Sequence, residues 1–464
     1  MYRDKVNSYI DNHREEMIQT LSDIISIPSV MSEAKDGMPF GEGPFRALES
    51  MLNVAKKNGF FIRNVDNYVG TIDMCEGRPE LGILCHLDVV PEGKGWTTPP
   101  FELTRKDGKL IGRGTIDDKG PAVAVLYAMM AVRDCGIKLK DNVRFIVGTN
   151  EENGSGDLKY YLNKESMPPK LFTPDGDYPV INLEKGMLRV TFSLSCKENN
   201  SQKRLISLNG GKTINAVPAE AVAQIKGFEL NDIENKLAGI KSTVSFSVSG
   251  DNEKITITAK GKGAHASTPD KGDNALTGLI DFLAKLEFDD GESFEYIKSL
   301  NKLFPYNETD GSSCGVESSD DISGPLTLTF SVLEFNNGEG TGKIDIRFPV
   351  CDSMEKVTQK LKESLSRYNI NVTDVMGDEP HYVDEKSDFV QKLLKVYEEC
   401  TGNKGYCKAI GGGTYVHNTE GGVAFGAAFP DKNNNMHGAD EFITEESFFL
   451  NAKIFANAIL EICG

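Results

Sequence analysis

The sequence predicts an α/β domain interrupted by an inserted α+β domain, and two changes of texture along the chain predict it. From residue 1 to about 184, apolar runs of strand length alternate with helical patterns, as in an α/β sheet. From residue 187, runs rich in Thr, Val, Ile and Phe gather at 187–196, 243–248, 254–259, 326–335 and 343–348, with helical patterns at 231–241, 274–288 and 353–367. That mixture reads as an antiparallel sheet with helices on one face. After about residue 380 the first texture returns, with helices at 388–400 and 445–462. The expected organisation is 1–184 and 380–464 as one α/β domain, with 185–379 inserted. A chain of 464 residues exceeds one ordinary hydrophobic core, which agrees.

Composition narrows the function classes. A net charge of −18 argues against nucleic-acid binding, which needs a basic stripe. Nine scattered cysteines, odd in number and without a C-x-x-C, read as reduced thiols in a cytoplasmic protein. The charged N-terminal stretch carries an apolar helical stripe at Met17, Ile18, Leu21, Ile24 and Ile25, so it is not a signal peptide. No apolar run approaches membrane-spanning length, and no membrane partner is expected.

The elements then lead to a candidate metal site. The apolar run at 81–84 reads as a buried strand entering His86. Strand alternation puts His86 and Asp88 on one face, where the Asp88 carboxylate can accept the second ring N–H of a ligating histidine. Standing alone, a His-x-Asp is more often a satisfied strand-end histidine. Gly120-Pro121 opens the next helix, since proline suits a first turn. Asp117 and Asp118 therefore precede a helix N-terminus, where negative charge is stabilised and plain capping is the ordinary reading. A strand at 143–147 leads to Glu151-Glu152. In open α/β sheets ligands collect at the carboxyl ends of strands. Adjacent acids there let one bind metal while its neighbour handles a proton. Imidazole with carboxylate suits zinc or manganese, and cobalt also fits.

His86-Leu87-Asp88-Val89-Val90-Pro91, Gly112-Arg113-Gly114 with Asp117-Asp118-Lys119-Gly120, and Glu151-Glu152 together resemble the M20 metallopeptidase family, most of all its bacterial dipeptidase branch. Thr173-Pro174-Asp175, Asn215-Ala216-Val217-Pro218, Gly263-Ala264-His265-Ala266, Asp345-Ile346-Arg347, Gly411-Gly412-Gly413-Thr414-Tyr415 and Met436-His437-Gly438 extend the match from near 80 to near 440. The resemblance implies an α/β metallopeptidase catalytic domain with a lid, and two divalent ions bridged by Asp117. One ion would add His86 and Asp175, the other Glu152 and His437. Glu151 would be the general base and Asp88 the partner of His86. The Asp117–Asp118 peptide is expected to be cis. Cys85 stands where the family often has glycine, and alternation points it away from His86 into packing. Asp177 competes with Asp175 for the ligand role, where the Pro-Asp match favours Asp175; Asp177 otherwise reads as a surface turn residue or lines an amino-terminal pocket.

The resemblance also implies that the long insertion supplies in cis what dimeric relatives take from a partner subunit, so a monomer is expected. His265 would stabilise the developing oxyanion, and Arg347 and Asn215 would grip a substrate carboxylate. The ordinary alternatives are an exposed loop histidine and an Arg347–Asp345 pair, since alternation puts those two on one strand face. His13, His381 and His417 receive no role. The implied reaction is hydrolysis of dipeptides with a free amino terminus. The competing readings are an N-acyl amino-acid deacylase or desuccinylase on the same scaffold, and a catalytically silent metal-binding interaction protein.

Overall fold

The structure, a computed structural model, describes residues 2–196, 201–289, 291–430 and 432–464. The chain divides into two compact units: Met1–Leu183 with Tyr382–Ala409 and Gly413–Gly464, and Glu184–His381 with Ile410–Gly412.

In the first unit, the strand Pro79–His86 pairs in parallel with Asn142–Gly148 on one side and Lys170–Thr173 on the other. Gly422–Ala424 continues the parallel set beside Lys170–Thr173. Val69–Asp73 and Phe61–Val65 extend the opposite side in antiparallel fashion. Pro79–His86 is buried at every position but Glu80, as a parallel strand covered on both faces must be. The crossover helix Lys119–Asp134 is buried from Lys119 to Val132. It packs against the sheet and the helices Arg14–Ile25 and Glu445–Cys463, which is why its sequence has no polar face. The N-terminal stripe from Met17 to Ile25 is buried on Arg14–Ile25, and a separate helix, Tyr2–Asn12, precedes it. Because Pro79–His86, Asn142–Gly148 and Lys170–Thr173 run in parallel, the turns bearing His86, Glu151 and Asp175 all leave one edge of the sheet.

The second unit is built on an eight-stranded antiparallel sheet. Its order is Ser245–Asp251, Lys254–Lys260, Glu220–Lys226, Arg204–Gly210, Thr327–Asn336, Glu339–Phe348, Gly186–Ser195 and Asn371–Asp378. Burial along Gly186–Ser195 alternates strictly, so one face is apolar and takes the helices. Helices Leu230–Ala238, Ala275–Ala284 and Met354–Ser366 lie where the pattern predicts, the second capped by Asn274 and the third by Ser353. Three strands of this sheet, Arg204–Gly210, Glu220–Lys226 and Asn371–Asp378, and the helix Glu292–Leu303 lie outside the predicted stretches. Residues 410–412, expected with the α/β domain, group with this unit. Lys185 N donates to Ile410 O at 2.9 Å, and Arg347 Nη1 donates to Gly411 O at 2.6 Å. Among the described residues no helix is long and apolar enough to cross a membrane.

Candidate metal centre

Pro79–His86 ends on His86, whose ring is wholly buried. Its Nδ1 lies 3.0 Å from the Asp88 carbonyl, an acceptor only, so that nitrogen carries the proton. Nε2 faces Asp117 Oδ1 at 2.9 Å and Asp175 Oδ2 at 3.8 Å. Nε2 is buried without an aligned hydrogen bond. A buried imidazole nitrogen crowded by carboxylate oxygens calls for a proton or a metal ion between them, and this donor set suits a divalent metal. Asp117 turns its other oxygen to His437 Nε2 at 2.8 Å, and the same nitrogen is 3.2 Å from Glu152 Oε1. Asp117 thus stands between two imidazoles. Two triads, His86–Glu151–Asp175 and His86–Asp117–Glu152, each place their ligand atoms within 4.8 Å of one another.

Electrostatics follow the geometry. Burial would push the Asp117 carboxyl up, but His437 and His86 outweigh it and hold it below the usual carboxylate range. Asp175 is pushed up to about 7 by burial and by Asp117. Burial drives Glu151 well above the usual range; Asp175, Glu152 and Asp88 add to this and His86 opposes it. His437 is raised to about 11 by Asp117 and Glu152. So much crowded negative charge is stabilised by any cation placed among it.

Asp88 does not do what its spacing suggests. Its carboxylate lies 3.5 Å from the His86 ring, which bonds the Asp88 carbonyl instead. The two carboxylate oxygens accept the backbone N–H of Glu151 at 3.0 Å and of Glu152 at 3.2 Å. Asp88 therefore orients the glutamate pair, because the tight turn after Gly148 leaves those two N–H groups without a strand partner. The Asp pair also divides its duties. The Asp117–Asp118 peptide is cis, and Asp118 makes no side-chain cap. Asp118 accepts the backbone N–H of His86 at 3.1 Å instead. Cys85 packs in the core, where burial and Asp118 push its thiol up. Asp177 is half-exposed and paired with Lys408 at 2.8 Å, away from the role left to Asp175.

Three further buried residues, none assigned a role above, complete the surroundings. Arg113 and Glu441 form an ion pair at 2.6 Å, both about 1% exposed. An arginine set between two glycines before an aspartate pair is the one local sign of it. Asp157, with no such sign, accepts the Tyr415 hydroxyl and the N–H groups of Thr149 and Asn150, bracing the turn into Glu151. Burial, reinforced by Asp88, raises Asp157 to about 6. An acid with a raised folded-state value stabilises the fold fully below the ordinary value near 4, and that contribution is lost as pH rises through 6. Asp157→Asn, measured in metal-free protein by urea denaturation, is expected to gain on the wild type between pH 4 and 7 by up to about 3 kcal/mol, at about 1.4 kcal/mol per pH unit. Parallel stability curves would show that Asp157 titrates normally.

In the second unit the segments around Asn215 and His265 are zipped together. Ala266 N donates to Asn215 O at 2.9 Å, Val217 N to Ala264 O at 2.9 Å, and Ala216 bridges His265. Ser267 N donates to His265 Nδ1 at 3.2 Å, which sets the proton of the neutral ring on Nε2. Both side chains are exposed. Arg347 is committed to a neighbour: Nε and Nη2 hold the two Asp345 oxygens at 2.7 and 3.0 Å, and Nη1 holds Gly411 O. The pairing that alternation allows is therefore made.

Comparison with known proteins bears out the resemblance. The profile of peptidase family M20/M25/M40 matches residues 82–461, and the chain belongs to that family. It is accordingly a hydrolase, and divalent metal ions are the cofactor the family implies. The chain is 35% identical over 456 residues to "Putative dipeptidase YtjP" of Bacillus subtilis (strain 168), covering 97% of each. It is 34% identical over 479 aligned positions to "Putative dipeptidase SAB1611c" of Staphylococcus aureus (strain bovine RF122 / ET3-1), covering 100% of this chain and 99% of the other. The fold is shared with human carnosine dipeptidase 1, at TM-score 0.61 and 19% identity over 100% and 99% of the two chains. It is shared too with the di-peptidase Dug1p of Saccharomyces cerevisiae, at TM-score 0.58 and 15% identity over 99% and 98%.

Proposed function

We propose that the protein is a metal-dependent dipeptidase, with the first unit as catalytic domain and the second as lid. The observation that carries this reading is the meeting of His86, Asp117, Glu152, Asp175 and His437 around one space, with a further acid, Glu151, beside them. Relatives named as dipeptidases, aligned over nearly all of the chain, support the substrate class. His86, Asp117 and Asp175 would hold one ion, and Asp117, Glu152 and His437 the other. Zinc or manganese is the metal proposed, and cobalt fits the same donors. Such ions, when bound, acidify water and polarise the amide carbonyl.

Glu151 takes the proton of the attacking water and returns it to the leaving amine. Asp88 holds the backbone of Glu151 and Glu152 so that one faces the water and the other the metal. His265 offers its Nε2 proton to the carbonyl oxygen as charge develops there. Asn215 receives the substrate's C-terminal carboxylate. Arg347 assists through the N–H groups that Asp345 and Gly411 do not take, three of its five being engaged. Nine free cysteines support a cytoplasmic enzyme, and the long inserted unit supports a monomer.

The test is a comparison of kcat/KM for a dipeptide, its C-terminal amide, its N-acetyl form and the matching tetrapeptide. Losing a charged contact at either end costs about 1.5–3 kcal/mol, so the dipeptide is expected to lead each by about 10–100-fold. Equal values would mean that neither end is read. Preference for the N-acetyl form would favour the deacylase reading.

A further inference from the structure

The turn carrying Asp117 and the turn carrying His437 are joined by a buried ion pair that the proposed chemistry does not use. The strand Phe442–Thr444 pairs antiparallel with Lys109–Ile111, setting Phe442 opposite Ile111. The chain leaving one strand therefore meets the chain entering the other, and Gly112 N donates to Glu441 O at 2.9 Å. The Glu441 side chain then reaches inward. Its Oε1 accepts the backbone N–H of Gly114 at 3.0 Å, Ile116 at 3.1 Å and Asp117 at 3.4 Å. Its Oε2 accepts Arg113 Nη1 at 2.6 Å. Arg113 sends Nη2 to three carbonyls: Pro91 at 3.4 Å, Glu92 at 3.3 Å and His437 at 3.3 Å. His437 holds a left-handed backbone, φ +60°, which a residue with a β-carbon seldom adopts. The guanidinium contact is one of the bonds that fix it there.

A buried ion pair is a poor source of stability, because desolvation consumes most of the attraction. What this pair does supply is position. A carboxylate gathering three N–H groups and a guanidinium has one place to sit, and the guanidinium is aimed by three carbonyls.

We propose that Arg113 and Glu441 are positioning residues that set the separation of Asp117 from His437, and through it the affinity of the second ion's site. The proposal rests on the two-ion reading above. The second site, Asp117 with Glu152 and His437, takes two of its side chains from the clamped turns. The first, His86 with Asp117 and Asp175, takes one. Trp96, the sole tryptophan, reports on the clamp. The Arg113 guanidinium lies 5.3 Å from its ring centroid, and its Nε1 donates to Glu92 O at 2.7 Å.

Metal-free wild-type protein, Glu441→Gln and Arg113→Lys are titrated with Mn²⁺. Ions bound per chain are read by equilibrium dialysis, and Trp96 emission is followed in parallel. Glutamine keeps an oxygen for the backbone N–H groups but turns an amide toward Arg113. Lysine keeps the charge but loses the fork. The second ion is expected to bind about 10–100-fold more weakly in both variants, the usual cost of removing a partner that orients ligands, with the first changed by less than about threefold. Unchanged affinities at both sites, or equal losses at both, would overturn the proposal. So would failure of both variants to fold, which would make the pair a stability element. If only one variant folds, it carries the measurement. A wild type that binds fewer than two ions would instead remove the two-ion reading.

Discussion

Glu151→Gln is expected to lose about 10²–10⁴-fold in kcat, the usual worth of a general base, while still binding two ions. The substitution keeps the size of the side chain and removes its capacity to take a proton. Glu151 is placed for that task by its neighbours. Its backbone N–H is held by Asp88, and its carboxylate reaches the space shared by His86 and Asp175. Burial raises its proton affinity above the usual carboxylate range, and Asp175, Glu152 and Asp88 add to this. The check is kcat on a dipeptide alongside metal per chain by atomic absorption. Turnover near wild type would remove Glu151 from the mechanism, and loss of an ion would make it a ligand.

The second large effect is a pattern of stoichiometry. Asp117→Ala is expected to lose both ions, because its two oxygens face the two imidazoles at 2.9 and 2.8 Å. His437→Ala and Glu152→Ala should each lose one ion. His86→Ala and Asp175→Ala should each lose the other. All five variants should fall to background turnover at sub-stoichiometric metal, because the chemistry assigned to the pair needs both ions. Two ions retained in His437→Ala, or one retained tightly in Asp117→Ala, would end the bridging assignment.

The fold class was legible because its signals are local. The continuous apolar run around residues 81–84 and the unbroken apolar helix after Pro121 announce a strand and helix covered on both sides. The alternation through 187–196 announces a half-covered one. Glu220–Lys226 escaped because its inward positions include Ala221 and Ala223, which carry little apolar signal, and because Glu, Gln and Lys between them favour helix. Arg204–Gly210 escaped because a bulge between Leu205 and Ser207 breaks its period. At the site, residue types and their order along the chain were readable, whereas pairings across long separations were not. Nothing near Arg113 in sequence indicates that its acid lies at 441. Nothing in His-x-Asp tells whether the aspartate lends its carboxylate or its carbonyl to the ring. That choice was made by the two glutamate N–H groups, which competed for the same carboxylate and won it.

The placing of His437 beyond the inserted unit has a consequence for synthesis. A nascent chain that has passed residue 175 already holds His86, Asp117, Glu152 and Asp175, with the strands Pro79–His86, Asn142–Gly148 and Lys170–Thr173 to arrange them. The whole second unit must then emerge before the ribosome delivers His437, Glu441 and the strand Gly422–Ala424 that completes the parallel set. Until that moment Asp117 has one imidazole instead of two, and Arg113 is a charge without its partner. On the two-ion reading proposed above, the site built on Asp117, Glu152 and His437 would stay incomplete until His437 has been translated.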